Sequence, residues 1–427
     1  MPVDRPKYDA IVVGARCAGS PTAMLLARQG HRVLLLDRSR FPSDKRISTH
    51  FIMRPGVAAL GRWGLLERVA KLGAPAVREY AVDFGPLQIT SDCPDDGLAS
   101  ACYGPRRFLL DQLLLDAALE AGVEFREDFT VQGLIRENGR VVGVRGGSRS
   151  GLSLEERAKI VVGADGIRSL VAREAGAQRY HDIPTRTGVW WGYFSGIPLE
   201  LSPIWFRPRR LLVAVPVDDN LTVVIIYIAI EDYREFSAAV EANFMSEYRE
   251  FAPDFFEKLA AGQRQGRWVG TGYQPNYFRE CAGPGWALVG DAGSHHDSIN
   301  PSGISNAFTE AELLADAIQA GLTNEATFDR AIRSYHARRD TRWLGHWHFI
   351  TSLASMAPPS AEFIELLQAL AERPQAARRF FAFFEGQAAE LDFMTPANIA
   401  QIMNGDDSCA AQQQDALDAI TPSVIRA

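Results

Sequence analysis

Within the thirty or so residues from Tyr8 to Asp37 the chain spells out strand, turn, helix, strand and acid, and few folds accept that order. Tyr8-Asp9-Ala10-Ile11-Val12-Val13-Gly14 is a short apolar run ending in glycine, as a buried parallel strand does. Ala18 to Gly30 opens with small residues, carries Leu25-Leu26 at its centre and stops at glycine, which predicts a helix packed closely on a sheet. Arg32 to Leu36 supplies the second strand and Asp37 ends it. The turn Gly14-Ala15-Arg16-Cys17-Ala18-Gly19 matches G-x-G-x-x-G except that Arg16 replaces the middle glycine. Free amides at the helix start suit a pyrophosphate, and Asp37, eighteen residues after Gly19, suits an unphosphorylated ribose.

Two later segments repeat the strand-then-turn arrangement. Ile160-Val161-Val162-Gly163 leads into Ala164-Asp165-Gly166-Ile167-Arg168-Ser169, and Trp286-Ala287-Leu288-Val289 leads into Gly290-Asp291-Ala292-Gly293. Ligands of a parallel α/β sheet bind beyond the carboxyl ends of its strands, so ends at Gly14, Asp165 and Asp291 are expected to converge on one extended ligand. Taken singly, each aspartate reads equally well as a loop cap.

The rest of the 427 residues organises around this unit. Residues 76–103 and 187–277 are mixed and strand-like, rich in turn formers, and are read as two inserts building one antiparallel, substrate-facing β-sheet. The fold expected is therefore α/β: a discontinuous Rossmann-like domain (1–75, 104–186 and 278–330), the inserted sheet domain, and a helical C-terminal region (331–427). The apolar stretch Leu211 to Ile230 is interrupted by Asp218-Asp219-Asn220, so it reads as a hairpin rather than a membrane span. Stable membrane insertion is not expected. With 45 basic and 52 acidic residues and a net charge of -7, no footprint for a nucleic-acid backbone exists. The five cysteines are scattered without a CxxC pair, which points away from disulfides and zinc and toward a reducing cytoplasm.

In this order the motifs resemble those of the FAD-dependent aromatic hydroxylases similar to para-hydroxybenzoate hydroxylase, and of the related geranylgeranyl reductases and flavin halogenases. The likeness covers roughly residues 8 to 325. It implies FAD, with Gly14, Ala15, Arg16 and Gly19 at the pyrophosphate, Asp37 and Arg38 at the adenosine ribose, and Gly290 and Asp291 at the ribitol. It further implies Asp165 near the pyrophosphate, with Arg168 close by, in the segment that family associates with NAD(P)H. Arg107, in Arg107-Phe108-Leu109-Leu110-Asp111, matches a helix start whose arginine lies on FAD, and Arg46-Ile47-Ser48 resembles the flavin-edge loop. The amides of Gly303 and Ile304 open a helix expected to face the flavin pyrimidine edge.

Departures are equally specific. Ser298 stands where those hydroxylases carry a proline, and the halogenase W-x-W-x-I-P is absent, which disfavours chlorination. GARCAGSPTA itself looks more like the branch named for geranylgeranyl reductases. The activity implied is FAD-dependent, NAD(P)H-driven monooxygenation of an aromatic or polyketide-like small molecule; the rivals are a reductase or dehydrogenase acting on a C=C bond and a catalytically silent FAD-binding subunit. His295 and His296 are candidates for proton transfer, against a reading as loop histidines at the cleft edge. Trp191, Tyr193 and Trp205 are candidate substrate contacts, against ordinary strand packing. Side-chain alternation places Trp191 and Tyr193 on one face of their strand and Trp190 and Phe194 on the other. Cys17 reads as a small buried residue, and Phe380 to Phe384 as a cover on the cofactor domain or a dimer contact, in a monomer or homodimer.

Overall fold

The computed structural model describes residues 7–43, 47–92, 99–148, 151, 153–324, 327–387 and 391–405. At its centre Tyr8–Val13 pairs in parallel with Val33–Leu36 on one side and with Ser153–Gly163 on the other. Trp286–Leu288 and Glu124–Arg126 extend this sheet in parallel at its two sides. All three glycine- or aspartate-tipped strands are therefore neighbours whose carboxyl ends point the same way. Tyr8–Val13, Val33–Leu36 and the Ile160–Gly163 end of the third strand are largely apolar and buried, with helices Gly19–Arg28, Arg107–Glu120 and Gly303–Thr323 sharing their core.

The two inserts meet in a second sheet of seven strands. Glu79–Asp83 and Gln88–Asp92 form one hairpin, and Thr187–Ser195, Ser202–Arg207, Arg210–Pro216, Leu221–Ala229 and Gln263–Thr271 supply the rest. The expected hairpin turns at Asp218 to Asn220, with Asp219 and Asn220 both in the left-handed region. The sheet is antiparallel except at one join, where Glu79–Asp83 runs parallel to Ser202–Arg207. That join is parallel because its two strands belong to separate inserts, with no hairpin to reverse the chain between them.

Within the stretch expected to be all β, residues 230–261 instead form three helices, Ile230–Ser237, Val240–Phe251 and Pro253–Ala261. Phe236, Phe244, Tyr248, Phe255 and Leu259 fall at helical spacing and pack on one face of the second sheet. The opposite face meets the C-terminal helices Phe328–Leu353, Ala361–Glu372 and Pro374–Phe384. A buried ion pair ties these helices back, Arg54 Nε donating to Glu385 Oε2 at 2.6 Å. Among the described residues no helix is long and apolar enough to cross a membrane.

Candidate functional site

The three strand ends close on one another so tightly that side chains are excluded. A Cβ on Gly19 would lie 1.7 Å from the Gly14 carbonyl oxygen, and one on Gly14 would lie 2.4 Å from that of Ala164. Gly14 and Gly290 also hold positive φ, +107° and +62°, and a Cβ on Gly290 would meet Ala18 at 2.9 Å. The result is a cradle of backbone at the carboxyl edge of the sheet, opening at the start of the Gly19–Arg28 helix.

Around this cradle the polar groups are held in fixed positions. Asp37 Oδ2 accepts the Ala15 N–H at 2.8 Å and Oδ1 accepts the Ser39 N–H at 2.7 Å, which leaves lone pairs on both oxygens for ribose hydroxyls. Fully buried Asp111 accepts from Arg16 Nη1 at 2.9 Å, from the Arg107 guanidinium at 2.9–3.1 Å and from Cys17 Sγ at 3.3 Å. Burial disfavours the Arg107 charge, yet Asp111, with Cys17 and Asp291 adding to it, holds its pKa above the ordinary value. Burial pushes the Cys17 thiol well up, which fits a packed, inert sulfur. Asp291 is exposed in the cleft, and its carboxylate has no hydrogen-bond partner among the described residues. Gly303 is exposed at its helix start with open space beyond, Ile304 is buried beneath it, and Arg38 lies on the surface. Arg46 lies outside the described residues.

Asp165, expected near the pyrophosphate, adjoins the cradle at Gly14 and caps a helix with its carboxylate. Its carboxylate accepts from Ser169 Oγ at 2.5 Å and from the Leu170 and Val171 N–H groups at 2.7 and 3.2 Å. The cleft side of that turn is the Ala164 carbonyl under Gly14.

The two histidines also hold loops. His296 Nδ1 donates to the Asp297 carbonyl at 2.9 Å, while Nε2 accepts from Ser302 Oγ at 3.0 Å and Asn306 Nδ2 at 3.1 Å. Loss of hydration lowers its pKa to about 4, so it is a neutral imidazole with both nitrogens engaged. His295 Nδ1 pairs with the Pro275 carbonyl, and its ring stacks on Tyr277. Asp297 beside them accepts from Thr187 Oγ1 through both oxygens at 2.8 Å, and burial pushes its pKa up to about 7.

Between the second sheet and the C-terminal helices lies an apolar cavity. Ile204, Phe206, Val213 and Ile225 line its sheet wall, and Phe380 and Phe384 belong to its helical wall. Thr49, Ile299 and Pro301 line the side nearest the loop that runs into Gly303. Trp205 faces the other way, its ring 5.2 Å from that of Phe255, because alternation along its strand gives the cavity to Ile204 and Phe206. Trp191 and Tyr193 do share the face that adjoins the cavity, and Trp190 and Phe194 the opposite one. Trp191 is core beneath the cavity wall. Tyr193 reaches His50, a buried residue in the left-handed region whose Nε2 meets the Tyr193 hydroxyl and whose Nδ1 has no partner among the described residues. Burial, reinforced by Arg107 and Arg106, lowers the His50 pKa to about 3.

His50 and the cavity walls carry no motif, and Asp111, which closes the Arg107-Phe108-Leu109-Leu110-Asp111 motif, has a partner in Arg16 that the motif does not announce. The alternation Leu211, Val213, Val215 was the one available signal, since it marks a strand face apolar beyond the needs of a solvated sheet.

Comparison with known proteins agrees with this geometry. Residues 7–343 match the FAD binding domain family. The chain belongs to that family. It is 28% identical to the kynurenine 3-monooxygenase of Salinispora arenicola over 79% of this chain and 77% of that protein. It is 27% identical to the digeranylgeranylglycerophospholipid reductase of Methanocella arvoryzae, over 74% of this chain and 80% of the relative. The FixC protein of Salmonella typhi is 33% identical, but the match spans only 43% of this chain and 42% of FixC. In three dimensions the flavin-dependent brominase Bmp2 superposes with a TM-score of 0.79 at 19% identity, over 96% of this chain and 99% of that one, a likeness of fold alone. The chain is thus an FAD-dependent oxidoreductase, with both monooxygenases and reductases among its relatives.

Proposed function

We propose that this protein is a monooxygenase that oxidises NAD(P)H and hydroxylates a small aromatic or polyketide-like molecule held in the apolar cavity. The observation that carries the reading is the position of that cavity: Thr49, Ile299 and Pro301, on its wall, are chain neighbours of His50 and of the Gly303 helix start.

The side-chain-free cradle fits FAD. Gly14, Ala15, Arg16 and Gly19 would hold the pyrophosphate, Asp37 and Arg38 the adenosine ribose, Gly290 and Asp291 the ribitol, and Arg107, Gly303 and Ile304 the flavin side. When bound, FAD supplies two-electron redox chemistry and the activation of oxygen. The chain's own residues do the rest. Asp111 orients Arg16 and Arg107 together. His296 and Asp297 fix the loop from Ser298 to Ser302 through hydrogen bonds at each end. The apolar walls exclude water from the reacting end, which protects an oxygen-transfer step from premature decay. Tyr193 meets His50 next to Thr49 of the cavity wall, and the pair would act on the substrate side. The five scattered cysteines suit a reducing cytoplasm.

The experiment is turnover of the FAD-loaded enzyme with NADPH under ¹⁸O₂. Label in the product supports hydroxylation, and full activity without oxygen overturns it. A second reading, reduction of a C=C bond, is favoured by the likeness to the digeranylgeranylglycerophospholipid reductase and predicts oxygen-independent turnover.

A further inference from the structure

None of the 22 residues that line the cavity is charged, and only Thr49, Tyr80, Ser202 and Tyr227 carry a hydroxyl. Each of those hydroxyls is already engaged inside the protein. Ser202 Oγ donates to the Ala214 carbonyl at 2.8 Å, and Tyr80 is held by Cys102 Sγ at 2.7 Å and by Glu385. Tyr227 donates its proton to the Ser298 carbonyl at 2.6 Å, and Thr49 is hydrogen-bonded to Tyr227. Nothing is left to neutralise a ligand charge. A carboxylate or ammonium placed here would lose its hydration with no partner in return, which costs far more than apolar contact returns. The hydroxyl oxygens keep acceptor capacity, so a ligand can still donate one hydrogen bond to them. Of the four, Tyr227 is bonded directly to the loop leading to Gly303, so that hydrogen bond belongs at the flavin side.

We infer that the substrate is a neutral, ring-bearing, largely apolar molecule that donates a single hydroxyl to the Thr49–Tyr227 pair and carries no carboxylate. This rests on the cavity being the substrate site of the proposed monooxygenase. It separates the protein's specificity from that of an enzyme acting on an amino acid such as kynurenine, which brings two charges.

The test uses FAD-loaded protein at pH 8 and three probes: 2-naphthol, methyl 6-hydroxy-2-naphthoate and 6-hydroxy-2-naphthoate. Binding is measured by calorimetry and by the perturbation of the flavin absorbance. The two neutral probes are expected to bind at least tenfold more tightly than the acid. Val213→Lys, which supplies a cation in the wall, is expected to narrow or invert that ratio while FAD stays bound. Equal or tighter binding of the acid to the unaltered protein overturns the inference, as does failure of all three to bind; neither result requires a variant to fold. Preferential binding of the neutral probes without stimulated NADPH oxidation or oxygen incorporation would keep the inference and remove the monooxygenase reading. Hydroxylation of the acid in preference would do the reverse.

Discussion

Glu310 accepts the backbone N–H of Gly290 at 2.7 Å, across twenty residues of chain and from inside the Gly303–Thr323 helix. The same carboxylate accepts from Ser294 Oγ at 3.1 Å, so one buried acid holds both ends of the turn that presents Asp291. Burial pushes its pKa from 4.5 up to about 7. A raised carboxyl pKa means that the folded chain binds the proton more tightly than the unfolded one. The wild type therefore loses stability as pH rises from about 4.5 through 7, relative to Glu310→Gln, by an amount on the order of 2 kcal/mol. Urea unfolding of both proteins at pH 5 and pH 8 measures this. Parallel pH dependence would contradict the assignment.

Asp291 is exposed and its carboxylate has no hydrogen-bond partner among the described residues, whereas His336 sits against Cys281. Asp291→Ala is expected to weaken FAD binding by roughly 1 to 3 kcal/mol, the cost of leaving ribitol donors unmet, and His336→Ala to leave it near the wild-type value. Flavin fluorescence titration compares the two; equal dissociation constants would refute the role of Asp291.

The two faces of the Thr187–Ser195 strand should behave differently. Trp190 stacks on Tyr233 at 6.0 Å and donates to Ser237 Oγ, so Trp190→Ala should cost about 3 kcal/mol of stability and leave coupling intact. Tyr193→Phe keeps the ring but releases His50, and should raise the share of hydrogen peroxide per NADPH oxidised once a substrate is known. An unchanged ratio of peroxide to product would exclude Tyr193 from the substrate side.

Arg54 and Glu385 are both almost wholly shielded from solvent. Removing one charge leaves the other stranded, so Glu385→Ala should cost about 3 to 5 kcal/mol, while Arg54→Met combined with Glu385→Leu should recover much of it. Chemical unfolding of the single and double variants tests the pair. A double variant as unstable as the single would show that the site needs the charges themselves.

What could be read from the sequence was whatever the backbone itself demands. Gly14, Gly19 and Gly290 sit where a Cβ collides, and such positions leave a local mark in the order of residues. The Ile230–Ala261 helices are hidden in the sequence because their aromatic residues also suit strands, and true strands flank them on both sides. Asp165 and His296 had the right chemistry at the right loops, but neighbouring amides and hydroxyls absorb both side chains. The pairs His50–Tyr193 and Arg54–Glu385 join residues 143 and 331 positions apart, and nothing local announces either. The cavity is of the same kind, since several widely separated segments each contribute a face that looks like ordinary core when read alone.

The order of synthesis now acquires a meaning. Every turn of the FAD cradle has left the ribosome once Thr323 has, and Phe328, Ile332 and Tyr335 complete the core beneath it, but the helices that wall the cavity, from Phe349 to Phe384, and Glu385, which fastens them to Arg54, come later. A nascent chain at that stage can fold around its cofactor before it owns a place for its substrate. Any chain cut short between those points would be a flavoprotein with an open apolar sheet face, visible to chaperones rather than to substrate.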